Sequence, residues 1–168
     1  NDGKTALMCA CTFGFHECAQ ALIEASAALD LVTSLGETAL MIACDKGHHE
    51  CARALIDAGA AINRLNNYGM TALMKACCKG HHECAQALID AGVAVDKLNR
   101  FGRTALINAC FNGHHECARA LINAGAAVDP VNQNGETALI GACRRGHVTC
   151  ARAVIDAGAA TDSVANDG

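Results

Sequence analysis

Residues 66–96 read NNYGMTALMKACCKGHHECAQALIDAGVAVD, and their Thr71-Ala72-Leu73 recurs at Thr5, Thr38, Thr104 and Thr137. The spacing is 33 residues each time, with no insertion. A fixed period of this length marks stacked supersecondary units. Five units are expected, at 1–33, 34–66, 67–99, 100–132 and 133–165, with 166–168 repeating the opening Asn1-Asp2-Gly3 as the start of a sixth. The chain has 168 residues, of which 52% are apolar but only 3% aromatic, with 16 glycines and one proline. Alanine is the commonest apolar residue, so the composition predicts close, many-times-repeated helix packing rather than one aromatic core.

Aligning the units gives columns, numbered here by the first unit. Thr5, Ala6, Leu7, Ala10, Cys11, Cys18, Ala19, Ala21, Ile23, Ala25 and Ala28 each begin an invariant column. A first helix is predicted over columns 6–13. Threonine at column 5 supplies its N-cap, columns 7, 10 and 11 its apolar face, and glycine at column 14 its end. A second helix is predicted over columns 16–25. Columns 18, 21, 22 and 25 form one apolar stripe, columns 19 and 23 a second, and Glu50, Arg53 and Asp57 exemplify the wet face. Glycine at column 26 (Ser26 in the first unit) suits the C-cap. An extended stretch and a turn such as Asn67-Tyr68-Gly69 then lead to the next helix.

This pattern resembles the ankyrin repeat over the whole chain. The family motif is roughly D-x-x-G-x-T-P-L-H-x-A, then G-H and an amphipathic helix, then G-A-D-V-N. Alanine stands where the family has proline after threonine, methionine or isoleucine where it has histidine after leucine, and cysteine at columns 11 and 18. The resemblance implies an all-α repeat solenoid of antiparallel helix pairs with short β-hairpin-like finger turns. It also implies a concave face of turns and first helices that binds a protein or peptide. The histidine after column 14, as in Gly47-His48, is then a scaffold residue bonded to backbone between units, and the second histidine column lies in solvent.

A scaffold repeats, whereas a binding site differs from unit to unit. Columns 2, 9, 12 and 31 hold five different residues each, and columns 1, 4 and 13 hold four. Columns 9, 12 and 13 are expected on the free face of the first helix, and columns 1, 2 and 4 in the turn before it. The predicted partner-binding residues are Phe13, Leu35, Asp45, Lys46, Tyr68, Met70, Arg100, Phe101, Arg103, Phe111, Arg144 and Arg145. Aromatic residues and arginine favour binding hot spots. The first unit carries −3 (Lys4 against Asp2, Glu17, Glu24 and Asp30) and the fourth +1. The expected partner therefore has an apolar segment near units three and four and acidic groups towards unit five.

CDKGHHEC, Cys44 to Cys51, looks like a metal or nucleophile motif. Zinc, however, needs four convergent ligands, and adjacent histidines on a helix diverge. Every Cys/His/Glu grouping recurs with the scaffold, so no catalytic, metal or cofactor site is expected. Ten of the twelve cysteines fall in columns 11 and 18, on apolar faces, where cysteine acts as a small hydrophobe. Same-column cysteines are too far apart to bridge, although Cys44 to Cys51 within one unit is not excluded by spacing. Reduced thiols and an intracellular, cytoplasmic protein are the expectation, with Cys78 the most reactive thiol. The net charge of −4 does not suggest a nucleic-acid binder. No run approaches a membrane span, and the opening residues do not read as a signal peptide. Alternative readings are a structural array that self-associates head-to-tail through uncapped ends, rather than a monomer, and an engineered ankyrin binder.

Overall fold

The computed structural model describes residues 3–165. The expected opening of a further unit at 166–168 lies outside them. Ten helices, and no strand, occur among the described residues: α1 Ala6–Phe13, α2 His16–Glu24, α3 Ala39–Lys46, α4 His49–Asp57, α5 Ala72–Lys79, α6 His82–Asp90, α7 Ala105–Asn112, α8 His115–Asn123, α9 Ala138–Arg144 and α10 Val148–Asp156. Consecutive helices pack as pairs. The odd-numbered helices stack side by side in one layer and the even-numbered helices in another. The chain is thus an all-α solenoid.

Helices of seven to nine residues are too short to persist alone in water, and two local devices define their ends. The threonine before each odd helix accepts a hydrogen bond from a first-turn amide: Thr5 Oγ1 from Met8 N, Thr38 from Met41, Thr71 from Met74, Thr104 from Ile107 and Thr137 from Ile140, at 3.1–3.2 Å. At the other end Gly14, Gly47, Gly80 and Gly113 take left-handed backbone conformations that stop the helix. In α9 the cap falls one residue earlier, on Arg145. After α2, Ser26 adopts φ 61° where the other pairs have glycine.

The glycine that ends an odd helix is also the seat for the next pair. His48, His81, His114 and His147 lay their rings over Gly14, Gly47, Gly80 and Gly113, so closely that a Cβ on Gly80 would sit 2.5 Å from His114 Nδ1. From there His48 Nε2 donates to the Thr12 carbonyl (3.3 Å) and His114 Nε2 to the Cys78 carbonyl (3.2 Å). Burial, only partly offset by that backbone bond, lowers the His114 pKa, and the neighbouring rings of His81 and His147 lower it further. The ring is held neutral as a donor.

The core is a row of leucines between two rows of small residues. Leu7, Leu40, Leu73 and Leu106 are buried in the odd layer, and Leu55, Leu88 and Leu121 in the even layer. The cysteine columns meet across pairs: Cys11 neighbours Cys51, Cys44 neighbours Cys84, Cys77 neighbours Cys117 and Cys110 neighbours Cys150. Burial, with the Cys51 thiol beside it, pushes Cys11 up to about 12. The partner thiol and burial likewise raise Cys44, Cys77 and Cys110. All twelve cysteines are free. Two expectations need correction. Cys18 and Cys143 are exposed, because each column's burial comes from the adjacent pair and these two thiols lie on the outer sides of the first and last pairs. Column 25 is exposed at Ala58, Ala91 and Ala124, because it follows the last helical turn and no longer faces the neighbour.

The connecting turns are built on one side chain each. Asn66 Oδ1 accepts from Tyr68 N and Met70 N, Asn99 Oδ1 from Phe101 N and Arg103 N, and Asn132 Oδ1 from Asn134 N and Glu136 N, at 2.8–3.0 Å. Thr33 Oγ1 makes the same pair with Leu35 N and Glu37 N. Each turn then docks on the one before it: Asn67 N donates to Leu35 O, Arg100 N to Tyr68 O and Gln133 N to Phe101 O (3.0–3.1 Å). A further rung runs behind the even helices, where Asp30, Asn63, Asp96 and Asp129 accept from Ala61, Ala94, Ala127 and Ala160 N.

The histidine seat gives a paired prediction for urea unfolding. Gly80→Ala and Gly146→Ala both place a side chain at positive φ, at about 1–2 kcal/mol each. Only Gly80 faces a histidine, since Gly146 has no atom within 4 Å of the Cβ position. Gly80→Ala should cost about 1–3 kcal/mol more than Gly146→Ala, because it also displaces a buried hydrogen-bonded ring. Equal costs would mean that the seat is not part of what holds neighbouring pairs together.

Candidate functional site: the turn and odd-helix face

Three contacts bring the turns and the odd helices onto one surface. Lys75 of α5 pairs with Glu37 of the second turn and with Asp45 of α3 (3.4 Å). Arg103 of the fourth turn lies over the Phe111 ring of α7, with Cζ 4.6 Å from the centroid. Glu136 of the fifth turn pairs with Arg144 of α9 (2.7 Å). Columns 4 and 12 therefore share a face.

The structure divides the twelve predicted residues. Phe13 (65% exposed), Leu35, Tyr68 and Phe101 present open apolar surface, and Lys46 and Arg100 are exposed cations. Arg103, Phe111 and Arg145 come together, with Arg145 Cζ 4.1 Å from the same ring centroid. Asp45 and Arg144 are engaged in ion pairs. Met70 is half-buried and packs against the core rather than standing free. Phe13 stacks on Phe15 at 5.8 Å, apart from the arginine cluster.

One expectation about this face fails. Column 9 is largely buried: Ile42, Asn108 and Gly141 are covered and Lys75 is half-buried. Odd helices lie so close that this column faces the neighbouring helix and turn rather than solvent. Gly141 shows the fit, since a Cβ there would already touch Phe111 Cδ2 at 3.5 Å. The column's variation reflects packing partners that differ along the stack.

The charged residues missed at the sequence level are Glu37, Lys75 and Glu136. Glu136 is 3% exposed, and it accepts from Asn132 Nδ2 (2.8 Å) and Arg144 Nη1 (2.7 Å). A buried carboxylate at this position requires both partners. Lys75 is similar. Burial alone would lower its pKa, but hydrogen bonds and charge from Glu37 and Asp45 outweigh that and raise it. The available signal was opposite charge at columns 4 and 9 of adjacent repeats.

Between the fourth and fifth turns lies a cleft of about 230 Å³ lined by Phe101, Arg103, Asn132, Gln133 and Asn134. Its walls are one ring, one guanidinium and amides, which suits a small apolar or polar side chain. Among the described residues no three His, Cys, Asp or Glu side chains converge as a metal site. No helix among the described residues is long and apolar enough to cross a membrane. The second histidine column lies on the other layer, where His16 approaches Glu50 (3.7 Å) and His82 approaches Glu83 and Glu116. Cys78 is half-buried, with Asn112 Nδ2 3.7 Å from its sulfur. It is therefore less accessible than Cys9, Cys18 or Cys143.

Lys75→Met leaves Glu37 and Asp45 without their cation and should cost about 1–3 kcal/mol, between the values for exposed and buried pairs. The folded pKa of Lys75 is raised, so its contribution is complete below its ordinary value and is lost as pH rises through the folded one. The stability gap between wild type and variant should hold from pH 7 to 9 and shrink above about 10.4. A gap that stays constant through that range would show that the pair carries no charge-dependent stability.

Comparison with known proteins agrees with the architecture. A family model described as Ankyrin repeats (3 copies) matches residues 1–66, 26–99 and 86–165. No curated protein matches the chain significantly. Period, paired helices, caps and family match converge: the chain belongs to the ankyrin-repeat family.

Proposed function

We propose that the chain is one array of five units, 1–33, 34–66, 67–99, 100–132 and 133–165, and that it is a non-catalytic scaffold. It binds a partner protein or peptide on the face of finger turns and odd helices. Ankyrin repeats generally mediate protein–protein interaction. The observation that carries the reading to this face is the meeting of the variable columns 4, 12 and 13 on one surface, with the invariant columns packed beneath it. Tyr68 and Phe101, 48% and 56% exposed, supply apolar anchors there. Lys46, Lys79, Arg100 and Arg145 are exposed cations on the same face. The favoured partner has an apolar segment at the third and fourth units and acidic groups towards the fifth. An intracellular setting with reduced thiols fits the free cysteines.

A peptide-display library selected on the wild-type array tests this without assuming a partner. Arg100→Glu with Phe111→Ala should weaken the selected peptides at least tenfold, about 1.4 kcal/mol, with the helical circular dichroism unchanged. Peptides that bind the double variant as tightly as wild type would place recognition elsewhere and overturn the reading.

A further inference from the structure

We propose that Arg103 and Arg145, held against the Phe111 ring, form a carboxylate-reading site that fixes an Asp or Glu side chain of an acidic peptide lying across the fourth and fifth units. This rests on the partner-binding reading above and specifies the chemistry of the partner.

Of the cations on this face, Lys46, Lys79 and Arg100 are exposed. Lys75 is neutralised by Glu37 and Asp45, and Arg144 by Glu136. Arg103 and Arg145 share a ring instead of a carboxylate. The acid of the fifth turn, Glu136, is buried and committed to Asn132 and Arg144. Two like charges thus stand at one ring, and no ion pair involves either of them among the described residues. The ring face attracts each guanidinium, but it does not relieve their mutual repulsion. A carboxylate accepting from their N–H groups would offset that charge.

The guanidiniums are positioned before any ligand arrives. Phe111 is half-buried and lies against Gly141 of α9. The ring fits against that glycine at van der Waals distance from where a Cβ would stand. Arg103 is half-buried, and its Nε is covered and has no acceptor. Asn108 Nδ2, buried in α7, likewise lacks one. The fourth unit therefore holds two covered donors without an acceptor, one of them on the Arg103 guanidinium itself. A planar guanidinium matches the two oxygens of a carboxylate. A side chain held restrained by a ring loses less freedom on binding than a mobile lysine. The cleft beside Arg103, walled by Phe101 and the amides of Asn132, Gln133 and Asn134, can take the residue next to the acid.

Charge elsewhere argues against a nucleic acid as occupant. The chain carries −4 overall, and the groove beyond the two arginines contains Glu37, Asp45 and Glu136. A polyanion following the groove would meet these acids, whereas a peptide can place a carboxylate at the fourth and fifth units and a neutral residue elsewhere.

The test uses the full chain and fluorescence anisotropy with a short labelled peptide of Glu, Leu and Gly, its counterpart with Gln for Glu, and a third with phosphoserine for Glu. The Glu peptide should bind at least tenfold more tightly than the Gln peptide. Arg103→Gln and Arg145→Gln should each reduce its affinity about tenfold, and Phe111→Leu severalfold by releasing both guanidiniums. Arg103→Lys should fail to restore affinity, because it keeps the charge and loses the fork. Arg152→Gln, the same charge change on α10 in the other layer, should leave binding unchanged. Equal binding of the Glu and Gln peptides, or an equal loss in Arg152→Gln, would overturn the proposal. So would clearly tighter binding of the phosphoserine peptide, which would reassign the site to phosphate. Neutral peptides selected from the library that still depend on Arg100 and Phe111 would sink the carboxylate site while leaving the partner-binding face intact.

Discussion

No helix pair in this chain is complete without its neighbour. Each of the first four odd helices ends on a glycine whose open face receives the next pair's histidine, as Gly80 receives His114. Each inner cysteine of one pair meets the outer cysteine of the next, as Cys77 meets Cys117. Helices this short gain little from their own hydrogen bonds, so stability resides in the interfaces between pairs. Small residues make those interfaces possible. Alanine and cysteine at columns 10, 11, 18 and 19 leave room for the leucines to interdigitate, and larger side chains there would hold the pairs apart.

The same stacking shapes the surface that varies. The backbone bonds from Asn67 to Leu35, Arg100 to Tyr68 and Gln133 to Phe101 set the turns at a fixed spacing. Column 4 of each turn is thereby presented to the adjacent odd helices. What occupies it decides the local chemistry. Glu37 closes on Lys75, Met70 packs inward, Arg103 lies on Phe111, and Glu136 closes on Arg144. A rigid repeating frame thus carries a non-repeating row of side chains.

Much of the frame was legible in the sequence because its signals are local. Thr71 before Ala72-Leu73 reads as a cap, Gly80 as a stop, and the leucine and cysteine columns as buried faces. The asparagines at 66, 99 and 132 were not read, because a polar residue between a loop and a turn looks solvent-exposed. Their burial comes from accepting two amides each, which is a property of the folded turn. Lys75 and Asn108 were misplaced for a related reason. Helical periodicity shows which face is apolar, but not which polar position a neighbouring helix will cover. Asp45, read as free, was taken by Lys75 thirty residues away, a pairing that depends on how successive repeats stack. Cys18 and Cys143 were misread because their columns are buried everywhere an adjacent pair covers them.

Native-state hydrogen exchange tests the dependence of each pair on its neighbour most directly. The amides of Asn67, Arg100 and Gln133 lie in turns, yet they donate across to the preceding turn. If the pairs form one continuous stack, these three amides will exchange at rates close to those of the adjacent odd helices α5, α7 and α9. Exchange at unprotected-turn rates, while the helices stay protected, would contradict it, because the turns would then move independently of the frame said to hold them.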